Sequence, residues 1–71
     1  MWVLSQDKRR LMNVASVWID TSKATRIMAS SSGSENLIAE YKDAQTAATY
    51  FADLVTAINN GLKTHKMPEN K

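Results

Sequence analysis

Few side chains in this 71-residue sequence could do chemistry, and their spacing decides what that chemistry would be. A catalytic nucleophile needs a base beside it and a third group to orient the base. The sequence has no Cys, and its single His, His65, stands in a polar stretch near the C-terminus. The common triads, thiolate metal sites and a four-ligand zinc site are therefore excluded. Paired carboxylates remain, and Glu35 with Glu40 or Glu40 with Asp43 are the close candidates. On a strand, an odd separation directs Glu35 and Glu40 to opposite faces, and Asp43 is accounted for below as a helix cap. Gly33 and Gly61 are isolated, so no glycine-rich loop is available to cradle a phosphate. The chain reads as no enzyme, with no cofactor and no metal.

Binding chemistry is better supplied. Lys8-Arg9-Arg10 is the densest cationic run, and Arg26 adds a further guanidinium. Arg grips phosphate oxygens bidentately, and Trp2 or Trp18, if nearby, offers a surface on which a base can stack. Trp2, Lys8, Arg9, Arg10, Trp18 and Arg26 are thus the candidate ligand-binding residues. The plainer readings are a solvated hairpin tip for the cations and core or interface packing for the aromatics. Extended DNA or RNA is less well served, because neutralising a phosphate backbone recruits many cations. Residues 1–61 hold six basic and six acidic side chains, and the surplus of the +2 net charge comes from Lys63, Lys66 and Lys71 against Glu69.

The elements that must position these residues follow from periodicity. Met1 to Ser5 is short, apolar and β-prone, and Gln6 to Arg10 reads as a polar turn. From Leu11 to Asp20 bulky apolar groups fall on both alternating faces, which calls for a strand buried on both sides or for a bulge near Ala15 and Ser16; the bulge is favoured. Residues 24–30 alternate Thr25, Ile27 and Ala29 against Arg26, Met28 and Ser30, and residues 35–41 alternate Leu37, Ala39 and Tyr41 against Asn36, Ile38 and Glu40. Short connections favour antiparallel neighbours. Asp43 suits an N-cap, and an apolar stripe of Ala44, Ala47, Ala48, Phe51, Leu54, Val55, Ile58 and Leu62 marks a helix that Gly61 ends. The expectation is an α+β fold: an antiparallel four-stranded meander (about 1–5, 11–20, 24–30, 35–41), then one helix (about 43–61) packed on one sheet face. Residues 1–62 make a single domain and residues 63–71 a flexible polar tail. So small a domain is marginal alone, and without disulfides or metal, self-association is the remaining source of stability.

Met1-Trp2 with Ser5-Gln6-Asp7, Leu11-Met12-Asn13, and Leu37-Ile38-Ala39-Glu40-Tyr41 leading into an amphipathic helix resemble a group of small proteins from phages, prophages and mobile elements of Gram-positive bacteria. Members begin with Met-Trp, carry Ser-Gln soon after and enter their helix from Gly-Glu-Tyr; here Ala39 replaces the glycine, and Thr46 stands where an acidic residue is usual. The resemblance spans roughly residues 1–58 and implies a fold and a genetic setting, with no catalytic residue carried over. The function expected is a non-catalytic, self-associating, phage-type binding protein acting in counter-defence, which sequesters a small anionic, nucleotide-like ligand or a host protein. The alternatives are a nucleic-acid-binding regulator using the basic turn and tail, and a structural or assembly protein. No segment approaches the roughly 18 apolar residues of a membrane span, and no secretory signal pattern follows Met1, so a cytoplasmic location is expected, in the host cell if the protein is phage-encoded.

Overall fold

A computed structural model describes residues 1–69. Among these the chain forms β1 (Trp2–Leu4), β2 (Leu11–Asn13), β3 (Ser16–Ile19), β4 (Arg26–Ser31), β5 (Ser34–Glu40), α1 (Ala44–Asn59) and β6 (Thr64–Lys66). The fold is α+β, with antiparallel pairing and one helix, as the periodicities lead one to expect. The single four-stranded meander is corrected. There are two three-stranded sheets, ordered β2-β1-β6 and β3-β4-β5.

The expected strand at 11–20 is two strands, one in each sheet. Val14 N–H donates to the Met1 carbonyl (2.9 Å), whereas Ala15 N–H donates to that of Ser30 (2.8 Å). Within one residue the backbone exchanges β1 for β4 as its partner. This explains why both faces of the segment are apolar: Met12 and Val14 reach the core from the first sheet and Val17 from the second. The irregularity falls next to Ala15 and Ser16, and it transfers the chain between sheets instead of merely bending one strand.

β4 and β5 form a hairpin closed by Ser32 and Gly33, both left-handed (φ 52° and 83°), the paired conformation whose twist matches that of the flanking strands. Opposite Ile27 and Met28 the register shifts: Ile27 faces Ala39 and Met28 faces Leu37, so Ile38 is an extra, bulged residue. The bulge interrupts the alternation expected for β5. Ile38 and Ala39 are both buried, and Leu37 turns outward at 38% exposure. It also reverses the expected placement of the two glutamates, because Glu35 and Glu40 oppose Ser30 and Arg26, residues on one face of β4.

Asp43 caps α1 as expected, its carboxylate accepting from Thr46 N–H at 2.7 Å. At the other end, Gly61 takes φ 71°, and the Gly61 and Leu62 amides return to the Ile58 and Ala57 carbonyls. The buried arc is narrower than the expected stripe. Ala47, Leu54 and Ala57 are buried, Phe51 and Val55 are half-buried, and Ala44, Ala48, Ile58 and Leu62 are exposed. The helix meets β3 and β4 and does not span an entire four-stranded face.

The expected flexible tail is corrected too. Thr64–Lys66 pairs in parallel with β1, Trp2 opposite Thr64 and Leu4 opposite Lys66. Met67 N–H then donates to the Leu4 carbonyl (3.0 Å), and the Met67 side chain enters the core. Residues 70 and 71, the remainder of that tail, lie outside the described residues. The core joins Val3, Ile27, Ala29, Ile38, Ala39, Tyr41, Ala47, Leu54 and Met67, drawn from both sheets, the helix and the C-terminal segment.

Candidate functional site

The turn at 5–10 is held by a set of short-range hydrogen bonds. The buried Ser5 hydroxyl donates to Asp7 Oδ1 (2.6 Å) and accepts from Arg10 N–H (3.2 Å). Asp7 Oδ1 also accepts from Arg9 N–H (3.0 Å). Such short-range side-chain bonds hold a turn without regular structure. Lys8 sits at its apex with φ 63°.

The turn then lies along the outer edge of β5. Gln6 N–H donates to the Ile38 carbonyl (2.8 Å). Its side-chain amide donates to the Glu40 carbonyl (2.9 Å) and accepts from Glu40 N–H (3.0 Å), so Gln6 serves as a short length of neighbouring strand. Arg10 adds Nη2 to the Leu37 carbonyl (2.6 Å) and Nη1 to Asn36 Oδ1 (3.4 Å). An open cleft of about 230 Å³ remains between turn and strand, bordered by Asp7, Arg10, Leu37 and Glu40.

The six candidate binding residues are spread over the molecule. Lys8 is paired with Glu69, Arg10 is spent on β5, and Arg26 Nε meets Glu40 Oε2 at 3.4 Å. Arg9 is exposed in the turn. Trp2, 45% exposed, lies on β1 between Asn13 and Thr64, in the other sheet from Trp18 and Arg26. No common pocket collects the cations and the indoles among the described residues.

A different grouping emerges on the face of β3-β4-β5 that carries Arg26, Met28 and Ser30. The ladder sets Trp18 opposite Met28 and Met28 opposite Leu37, one apolar row crossing all three strands. Trp18 and Met28 are half-buried and Leu37 is exposed. The core takes Ile27 and Ala29 from the opposite face of β4. On one side of the row, Glu40 holds Lys23 (3.0 Å) and Arg26; on the other, the Ser16 and Ser30 hydroxyls meet at 2.7 Å. Sequence reasoning named Trp18 alone. The alternation of β4 already put Met28 on this face, but Leu37 arrives there through a bulge that no local residue type announces.

For acid–base chemistry, Glu35 and Glu40 share a face but oppose β4 residues four apart. That spacing is roughly 13 Å along a strand, beyond the reach of a carboxylate pair. His65 lies opposite Val3, and its Nε2 is buried without a hydrogen-bond partner. No group of three or more metal-ligating side chains occurs among the described residues, nor does any helix there have the length and apolar character to cross a membrane.

Titration of the structural groups predicts a stability profile with two limbs. The Ser5 hydroxyl and the Arg9 amide lower the Asp7 carboxyl below its ordinary 3.8. Lys23 lowers Glu40 below 4.5, and the Thr46 amide and hydroxyl lower Asp43 below 3.8. Depressed carboxyls stabilise the fold above the unfolded values, so stability is complete above about pH 5 and falls as the pH drops through the lower folded values. Burial, with Tyr50 beside it, pushes Tyr41 from 10.0 up to about 12. A raised phenol stabilises the fold below pH 10 and loses that contribution as the pH rises from 10 towards 12. Thermal melts across pH should show both declines. A melting temperature flat from pH 3 to 6 would contradict the carboxylate assignments, and an alkaline decline unchanged in Tyr41→Phe would contradict that of Tyr41.

Compared with models of known protein families, with curated proteins and with solved structures, the chain has no significant match to any of them, so the geometry above is the ground for its functional reading.

Proposed function

We propose that the protein is a non-catalytic, self-associating binding protein of the phage type, which acts in counter-defence in the host cytoplasm by holding a host protein on the open face of β3-β4-β5. The Trp18–Met28–Leu37 row is the observation that carries the partner face; the phage setting and the counter-defence role come from the resemblance of the sequence. Aromatic and Met side chains are enriched in interfaces, where a rigid indole and an adaptable thioether fit a partner's contours. Fully covering an exposed side chain of this size contributes about 1.5–3 kcal/mol before the costs of association, and the half-buried Trp18 and Met28 contribute less. The Lys23–Glu40–Arg26 cluster and the Ser16–Ser30 pair border the row, the polar rim that gives an apolar patch its orientation. A protein partner is favoured over a nucleotide because Lys8, Arg10 and Arg26 already have partners.

A photo-reactive side chain replacing Met28, introduced in a Gram-positive host, should yield a discrete adduct heavier than twice the 7.9 kDa chain. The same group at the helix position Thr56 should not. Adducts no heavier than a dimer at position 28, or one pattern at both positions, would overturn the reading. Heat on isothermal titration with a cyclic or ADP-ribose-type nucleotide would favour a small anionic ligand instead.

A further inference from the structure

We infer that the open edge of β3 is a self-pairing surface, and that two copies of the chain join there antiparallel about Trp18 to make one continuous six-stranded sheet. This deepens the self-association in the reading above and requires no other partner. Unpaired sheet edges are ordinarily guarded by charge, by brevity or by a covering segment. Three of the four edge strands are guarded here. β5 is covered by Gln6 and Arg10. β2 has only three residues, follows directly on Lys8-Arg9-Arg10, and its Asn13 carbonyl accepts from the Ser31 hydroxyl. β6 is flanked by Lys63 and contains Lys66. Against these, β3 is four residues long and followed by Asp20, but among the described residues no backbone bond covers its outer edge, and Leu11 to Ile19 contains no charged residue.

The backbone fixes which groups the edge offers. Asp20 N–H donates to the Arg26 carbonyl (3.0 Å), continuing the β3–β4 ladder. Backbone groups alternate in direction along a strand, so Asp20, Trp18 and Ser16 bond towards β4 while Val17 and Ile19 direct N–H and C=O to the open side. An antiparallel second copy centred on Trp18 sets Val17 opposite Ile19 of that copy, where each pair exchanges both backbone bonds. The side chains then match on both faces. On the inner face Val17 meets Ile19, and on the outer face Trp18 meets Trp18 in a closely spaced pair without backbone bonds. Ser16 comes opposite Asp20, so a hydroxyl faces a carboxylate and no like charges are opposed. The Trp18–Met28–Leu37 row becomes continuous across the axis, doubling the apolar face.

Sedimentation velocity over a range of concentrations tests this. The wild type should sediment as a dimer. Trp18→Lys, which sets two ammonium groups against each other on the axis, should sediment as a monomer with an unchanged far-ultraviolet circular dichroism spectrum. Val17→Pro, which deletes an edge N–H while leaving the ladder to β4, should do the same. Because the chain has no Cys, Trp18→Cys should form a disulfide-linked dimer on mild oxidation, and Glu35→Cys, on β5, should not. Leu37→Lys should leave the dimer intact while removing the adduct at position 28, which separates the two proposals. A wild type that is monomeric throughout, or a dimer that survives Trp18→Lys, would overturn the inference whatever the outcome for the partner face.

Discussion

Ending the chain after Leu62 unfolds the domain. The truncation removes the parallel strand β6 and leaves the Trp2 amide and the Leu4 carbonyl without Lys63 and Met67. It also withdraws the Pro68 carbonyl to which the Tyr41 hydroxyl donates (2.8 Å). The Met67 side chain is only 3% exposed and belongs to the core, and truncating a buried Met to Ala alone costs about 2–5 kcal/mol. A domain of this size holds only about 3–5 kcal/mol in total. Met67→Ala should therefore lower the urea midpoint severely, and the full truncation should show no cooperative transition at 25 °C. A truncated chain that melts within a few degrees of the intact one would show that the segment adds little. The experiment is informative because composition alone marks residues 63–71 as dispensable.

Replacing Gln6 has the second largest effect expected. Gln6→Ala leaves the N–H and C=O of Glu40 unpaired at a partly buried edge, which costs about 1–3 kcal/mol. Gln6→Glu, the nearer replacement in shape, should be worse at neutral pH, because a carboxylate oxygen then confronts the Glu40 carbonyl where Nε2 stood at 2.9 Å. Protonation restores a donor, so the folded pKa of the new carboxyl is raised above its ordinary value. The penalty of this variant is thus smallest at acid pH and grows as the pH rises through the folded value. Urea titrations of both variants at pH 4 and pH 7 check the order. If Gln6→Glu equals Gln6→Ala at both values, the amide is not acting as a strand surrogate.

These two cases mark where the sequence was legible. The helix was clear because Asp43, Gly61 and the spacing of Ala47 and Leu54 are local signals. β4 was clear for the same reason, since Ile27 and Ala29 alternate cleanly with Arg26 and Met28. What local pattern could not convey was partnership. The change of sheet at Val14 and Ala15 appears in sequence only as surplus apolar residues, and the bulge at Ile38 as no signal at all. β6 is three residues long, Thr64-His65-Lys66, too short and too polar to betray a strand whose pairing partner lies at the other end of the chain.

The candidate site divides in the same way. Sequence grouped Lys8, Arg9, Arg10 and Arg26 by charge, yet charge does not say which carboxylate or carbonyl a cation will meet. Ser5, Gln6 and Asp7 carried no chemical signal of their own, although Ser5 and Asp7 have the spacing of a side-chain-stabilised turn. Gln6 bonds the backbone of Ile38 and Glu40, and Ser5 holds the turn from which Gln6 reaches them.

The pairing of β1 with β6 also sets the order in which the chain can acquire its structure. β3, β4 and β5 are joined by short connections and can assemble as soon as they are synthesised. β1 is made before β6, and it cannot complete its sheet until about sixty further residues have followed; closing so long a loop slows folding. Until then Val3 lacks its neighbour His65, and the core lacks Met67. The first sheet and the core therefore stay incomplete until Thr64 to Met67 have been made.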